Sequence, residues 1–372
     1  MSKQNKAFKF RLYPNKEQQE LLAKTFGCVR FVYNKMLAER KEIYEKFKDD
    51  KEKLKEQKFP TPAKYKDEFP FLKEVDSLAL ANAQIHLQNA YKNFFEGRAA
   101  FPKFKSKKHK QSYTTNMVNG NIKMEDGHIK LPKFKKPMKM KQHREIPADY
   151  KIKSCTISKT KTGKYYISIL TEYEKDIRPV KIQKVVGLDF AMDGLYVDSE
   201  QGEKANYPRY YRQALDKLAK AQRILSRRKK GSTRWEKQRL KVAKLHDKIA
   251  NQRRNFLHHK SKELAANYDA VIIEDLDMKG MSQALSFGKS VHDNGWGMFI
   301  SFLEYKLKEQ GKQLVKIDKW FPSTKKCSRC GNEKEMSLSE RVYKCTCGLV
   351  LDRDYNSAIN IKKEGLRLLE LA

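Results

Sequence analysis

Four thiols stand at Cys327, Cys330, Cys345 and Cys347, with fourteen residues between the two pairs. Thiolates at that spacing suit a closed tetrahedral zinc site, which supplies folding energy to a segment too small for a core of its own. Cys28 and Cys155 stand apart, and the clustering of the other four argues for metal rather than for a disulfide framework. Three acids carry the second chemistry. Asp189 ends an apolar run at 185–188, and Glu274 ends another at 271–273. Asp352 or Asp354 stands where a short strand gives way to a helix, a place where an acid can also serve as an N-cap. Carboxylates from three separate stretches, meeting at strand ends, can hold two Mg²⁺ about 3.5–4 Å apart. One ion would activate water and the other would stabilise the leaving 3′ oxygen of a phosphodiester. The eight histidines show neither ligand nor triad spacing.

The substrate class follows from charge. The 372 residues include 80 Lys and Arg against 45 Asp and Glu, a net charge of +35. Solubility asks for a net charge of only a few units. The expected partner is therefore a large polyanion, a nucleic acid. A membrane surface is disfavoured, because no apolar run reaches 18 residues. The first residues, Met1 to Lys6, lack the apolar stretch of a signal peptide, so the expected location is cytoplasmic.

The elements that must position these groups can be read from periodicity. The runs 185–190 and 271–274 have the form of buried strands, and Asp193-Gly194 turns the first into a returning strand at 195–197. A last strand is expected at 312–317 and a helix at 296–307. The order strand-Asp, hairpin, strand-Glu, helix-Asp is that of an RNase H-like α/β fold. Between the two acid-ended strands, 205–262 carries 19 Lys and Arg against Asp216, Glu236 and Asp247. Leu215, Leu218 and Leu225, then Leu245, Ile249 and Phe256, mark two helices of a basic hairpin broken at Gly231-Ser232. Residues 280–297 are rich in Ser and Gly and are expected to form a mobile loop that could gate the site.

Nearer the N-terminus, 8–12 alternates apolar and basic residues as a half-buried strand does. A helix from Lys16 and a second from about Ser77, with Ser77 as N-cap, form a helical lobe. Short strand signals follow at 121–124, 128–131, 154–158 and 165–170, the last two joined by a turn at 161–164. With 8–12 they suggest a basic β-barrel-like unit into which the helical lobe is inserted.

The motifs Phe8-Lys9-Phe10-Arg11-Leu12-Tyr13-Pro14, Phe101-Pro102-Lys103-Phe104-Lys105, Gly187-Leu188-Asp189, Ile273-Glu274-Asp275-Leu276, the Cys327–Cys330 knuckle and Asp352-Arg353-Asp354-Tyr355-Asn356 occur in one order. Together they resemble the TnpB family, transposon-encoded relatives of the type V CRISPR effector nucleases. The resemblance spans about 6–361. It implies an Mg²⁺-dependent, RNA-guided DNA endonuclease with one RuvC-like site, in which Asp354 rather than Asp352 completes the triad of Asp189 and Glu274. It implies two partners, a guide RNA made from the transposon end and double-stranded DNA bearing a short adjacent motif, met in the cytoplasm or nucleoid of a prokaryote. It also implies four parts: a wedge domain at 1–13 and 100–178, a recognition domain at 14–99, a RuvC-like domain at 179–322 and 349–372, and a zinc ribbon at 323–348. The family's pattern offers Ser77, Asn82, Tyr113 and Thr114 as motif readers. Lys103, Lys105, Arg227, Arg228, Arg253 and Arg254 are candidates for phosphate contacts. Two rival readings on the same fold are a guided DNA-binding repressor and a transposase performing strand transfer.

Overall fold

In the computed structural model, residues 2–108, 110–284, 293–337 and 339–370 are described. The chain divides into two compact units, Met1–Lys175 and Asp176–Ala372.

The first unit opens with β1 (Ser2–Tyr13) and passes at once into α1 (Lys16–Phe47). The switch has a local cause. Asn15 Oδ1 accepts from the Gln18 amide while Gln18 Oε1 accepts from the Asn15 amide, a reciprocal cap that satisfies two otherwise unpaired helix donors. Short helices α2 (Lys51–Glu56) and α3 (Tyr65–Glu68) lead to α4 (Ser77–Phe95). Here the expected cap is corrected. Asp76, not Ser77, accepts from the Leu78 amide at 3.0 Å, and Ser77 is the first helical residue.

Six strands follow: β2 (Gln111–Asn116), β3 (Lys123–Glu125), β4 (His128–Lys130), β5 (Met138–Lys141), β6 (Lys151–Lys159) and β7 (Tyr165–Lys175). They join β1 in a seven-stranded antiparallel sheet of order β2-β6-β7-β1-β5-β4-β3. Strands β2 and β5 were not expected. Among the described residues no ladder joins the edges β2 and β3, so hydrogen bonding does not close a barrel. The helices arrive between β1 and β2, as an insertion, but they have no core of their own. Leu22, Phe26, Leu80 and Leu87 lie in the same buried cluster as Phe10, Ile157 and Ile167.

The second unit is built on a four-stranded sheet. β8 (Val185–Phe190) pairs antiparallel with β9 (Tyr196–Asp198), and after two long helices, α5 (Tyr210–Ser226) and α6 (Thr233–Asn267), β10 (Ala270–Glu274) returns parallel to β8. Helices α7 (Met278–Ala284) and α8 (Trp296–Lys308) precede β11 (Gln313–Ile317), parallel to β10. The order is β11-β10-β8-β9, and a single bridge from Val197 to Lys204 extends the β9 edge. The hairpin β12 (Val342–Lys344) and β13 (Val350–Asp352) leads into the last helix, α9 (Arg353–Glu370). The ends of the expected loop at 280–297 are helical, since α7 reaches Ala284 and α8 begins at Trp296, and the middle of it, 285–292, lies outside the described residues.

Alternation decides which helix covers which face. Val186, Leu188, Val271 and Ile273 pack with Leu257, Leu264, Phe299 and Leu303 of α6 and α8. Val185, Ala270 and Ile272 point the other way and pack with Ile361 of α9. Two glycines let α9 lie directly on the sheet. A Cβ on Gly187 would sit 2.6 Å from the Lys362 amide nitrogen, and one on Gly365 would collide with Ile272. Among the described residues, no helix is long and apolar enough to cross a membrane.

Candidate active site

Period-two alternation carries Asp189 onto the same face as Val185 and Gly187, and Glu274 onto the same face as Ala270 and Ile272. Both acids thus face α9. The parallel register Ile273↔Leu188 sets them side by side at the carboxyl ends of neighbouring strands. Helix α9 supplies the third acid in its first turn. Its two candidates are separated by the helix start itself. Asp352 accepts from the amides of Asp354 and Tyr355, at 2.9 and 3.0 Å, and is spent as the cap. Asp354 is near enough to Asp189 to raise its pKa. Burial pushes the Asp189 carboxyl well above the usual carboxylate range, and the charges of Glu274 and Asp354 push it further. Burial also raises Glu274, against the pull of the Ser323 hydroxyl that donates to Oε1.

A polar network absent from the sequence reading holds this arrangement. Asn360 donates to the Ser323 and Lys326 carbonyls at 2.8 and 2.6 Å. Asn356 donates to the Lys326 carbonyl and accepts from the Ser328 amide, at 2.8 and 2.9 Å. Both asparagines are buried, and they tie α9 to the segment that presents Ser323 to Glu274. Their signal lay in the sequence: two amides four residues apart, which share one face of a helix. Arg353 holds Oδ1 of Asp354 at 2.9 Å and reaches the Glu340 carbonyl.

The four clustered thiols also converge. Sγ atoms of Cys327, Cys330, Cys345 and Cys347 all lie within 4.8 Å of one another, with Cys327 to Cys347 at 3.7 Å and Cys330 to Cys345 at 3.5 Å. A tetrahedron with metal–sulfur bonds of about 2.3 Å has edges of about 3.8 Å. Each knuckle turns on a glycine with left-handed backbone, Gly331 at φ +80° and Gly348 at φ +84°, a conformation that a side chain would strain. The Cys347 amide helps to hold the Cys345 thiol down to about 6.

The nucleic-acid candidates divide. Lys103 and Lys105 lie exposed on their segment, with the Lys105 ammonium 3.8 Å from the Tyr33 ring centre. Arg227 is exposed at the end of α5, and Arg228 donates to the Arg234 carbonyl across the turn. Arg254 is exposed on α6, whereas Arg253 is committed to the protein, 3.0 Å from the buried Asp293 and 3.3 Å from the Tyr207 hydroxyl. Tyr113 is a core residue, buried against Phe26 and raised in pKa by that burial, so its hydroxyl does not face solvent. Asn82 is also buried, donating to the Leu78 carbonyl at 2.8 Å. Thr114 shares a 2.8 Å hydrogen bond with Thr156, and exposed Ser77 accepts from Lys66 at 2.7 Å. His258 on α6 stacks on Phe302 with ring centres 3.8 Å apart.

The sequence matches the domain families described as "Probable transposase" over 168–285, "Helix-turn-helix domain" over 1–49 and "Cas12f1-like, TNB domain" over 296–361. Over 1–49 the structure holds a strand and one long helix rather than two helices about a turn. The chain is 36% identical to a Streptomyces pristinaespiralis protein named RNA-guided DNA endonuclease, across 98% of this chain and 90% of that one. It is 32% identical to a protein of Escherichia coli K12 with the same name, InsQ, across 99% and 94%. Its fold is similar to that in a cryo-EM structure of a Cas12f1–sgRNA–target DNA complex, with a TM-score of 0.61 at 12% identity over 97% of this chain and 99% of that one.

Proposed function

The chain belongs to the TnpB family of transposon-encoded proteins, and on that premise we propose that it is an RNA-guided DNA endonuclease. It binds a guide RNA derived from the transposon end, engages double-stranded DNA beside a short motif, and hydrolyses phosphodiesters at Asp189, Glu274 and Asp354. Base pairing with the guide reads the target, and the protein reads heteroduplex shape and the adjacent motif. The observation that carries this reading is a buried strand-end carboxylate whose pKa is raised by the charges of two further acids, in a chain of net charge +35. The strand order supports an RNase H-like, RuvC-type domain. The seven-stranded sheet with α1 and α4 fits the wedge and recognition parts, and the setting is the prokaryotic cytoplasm and nucleoid.

The donor set fits magnesium: all three groups offer carboxylate oxygens, which suit a hard divalent cation, and their crowding is relieved by positive charge. When bound, Mg²⁺ supplies Lewis-acid stabilisation of the phosphoryl and leaving 3′ oxygens. The protein's part is orientation. Ser323 fixes one oxygen of Glu274, Arg353 fixes one of Asp354, and the strand register sets Asp189 beside Glu274.

The four thiols fit zinc, in a structural role. Stripping the metal with a chelator is expected to release one zinc per chain and to lower the melting temperature. Cys327→Ser should reproduce the loss, because its Sγ is buried and one of only four ligands. A chelated protein that melts like the untreated one would remove zinc from the account.

The test of the function is to sequence the RNA that co-purifies with the protein and to programme it against a new duplex. A single structured RNA with a variable 3′ end, and Mg²⁺-dependent cutting of the matched duplex only, is the expected result. Random RNA fragments and no guided cutting would overturn it. Joining of DNA ends without guide RNA would instead favour strand transfer, the activity that the matched transposase description points to.

A further inference from the structure

Trp320 is 81% exposed, more than any other large apolar side chain among the described residues. Single exposed apolar residues are ordinary. This one stands at the active site. Between β11 and the zinc knuckle the chain runs through two tight turns, closed by the Asp318 carbonyl accepting from Phe321 and the Phe321 carbonyl accepting from Ser323. The Asp318 carboxylate accepts from the Trp320 amide at 2.7 Å and pins the first turn. Phe321 packs inward against the α9 side of the sheet, and its neighbour Trp320 is left outside. Only Phe321 and Pro322 lie between Trp320 and Ser323, whose hydroxyl touches Glu274, so the two backbones lie within about 10 Å.

The surroundings suit a nucleic acid strand. Lys319 Nζ sits 4.9 Å from the centre of the indole ring. A cleft of about 540 Å³ runs beside the turn, lined by 275–277 and 316–319, at the carboxyl ends of β10 and β11 where Glu274 ends its strand. Its acids are already engaged in part: Asp275 pairs with Lys316 at 3.0 Å, and Asp318 caps the turn. An indole face with a lysine beside it offers stacking to a base and charge to the adjoining phosphate.

We infer that Trp320, with Lys319, forms a stacking stop for an unpaired nucleobase of the DNA strand being cut, holding the neighbouring phosphodiester at Asp189, Glu274 and Asp354. The inference rests on the reading of the chain as a DNA nuclease. Trp320 is then a positioning residue: duplex DNA offers it no free base face, so it engages only a strand already opened.

Two arms test it. In the first, the guide-loaded protein meets a matched duplex. Trp320→Ala is expected to leave target binding and melting temperature unchanged and to lower the single-turnover cleavage rate about ten-fold, within the range of one lost base stack. Trp320→Phe should restore most of the rate. A Trp320→Ala variant that cuts at the wild-type rate overturns the inference, as does one that melts early and is not rescued by Phe. In the second arm, the full chain without guide is titrated with single-stranded oligo(dT). Tryptophan fluorescence should be quenched in the wild type and much less in Trp320→Phe, since Trp296 is buried and Trp235 is partly covered. Equal quenching in both proteins overturns the inference. A wild-type protein that never cuts guided DNA would count against the nuclease reading, while the titration still judges Trp320.

Discussion

Asp189→Asn is expected to abolish cleavage and, without divalent cations, to stabilise the folded protein. The two effects share a cause. Asp189 is buried, and both that burial and the charges of Glu274 and Asp354 raise its pKa. A carboxyl that titrates higher in the folded state than in the unfolded one binds its proton more tightly when folded. Its contribution to stability is present below the ordinary carboxylate range and is lost as pH rises through the raised value. Glu274 is raised too and acts in the same direction. The metal-free wild type should therefore lose stability as pH rises above the ordinary carboxylate range, and Asp189→Asn should lose less. Mg²⁺ binds only the folded site, so it should raise the wild-type melting temperature and leave the variant nearly unmoved. Cleavage should fall by about 1,000-fold or more, the scale of a few kcal/mol of lost charge stabilisation at the reacting phosphate. Guide RNA binding should be retained. Melting curves with and without Mg²⁺, alongside a guided cleavage assay, check all of these. A variant that still cuts would move the site elsewhere.

A second large effect is expected at a residue with no side chain. Gly187→Ala would put a methyl group 2.6 Å from the Lys362 amide nitrogen and against the Ala358 carbonyl, both backbone atoms of α9. Neither can rotate away, so the helix must shift. Overpacking of this kind costs about 1–3 kcal/mol. The functional cost should be greater, because the same helix carries Asp354, and a misplacement near 1 Å can cost about 100-fold in rate. Cleavage should therefore fall about 100-fold with RNA binding intact and the melting temperature reduced. Gly27→Ala serves as the contrast: a Cβ there meets nothing within 4 Å, and replacing a helical glycine by alanine is neutral or stabilising, by up to about 1 kcal/mol. Equal, harmless outcomes at both positions would mean that α9 does not position the site.

The groups that carry short-range chemistry were legible in the chain. Two apolar runs that each end in an acid announce buried strands, because a strand covered on both faces needs such residues over its whole length. The thiol spacing announces a metal site, because four ligands on two knuckles leave little else for them to do. The excess of 35 positive charges announces a polyanion. By contrast, β2 and β5 carry Ser, Thr, Asn and Lys among their apolar residues and read as loops, since their place in the sheet comes from β6 and β1 beside them.

What the chain could not decide on its own was every question of facing. Ser77 and Asp76 are equally able to cap a helix, and only the turn geometry chose Asp76. Tyr113 and Arg253 have polar ends suited to nucleic acid, yet packing against Phe26 and pairing with Asp293 turn both inward. Asp352 and Asp354 differ by two positions, and the start of α9 makes one a cap and leaves the other beside Asp189. Ser323, Asn356 and Asn360 matter through partners up to 49 residues away. The residue types and their local spacing pointed to a mixed α/β fold, a four-thiol metal site and a polyanionic partner. The tertiary structure alone decided which of the two acids at the start of α9 is free to act on Asp189 and what holds it, because strand register and helix approach bring together side chains that no local pattern relates.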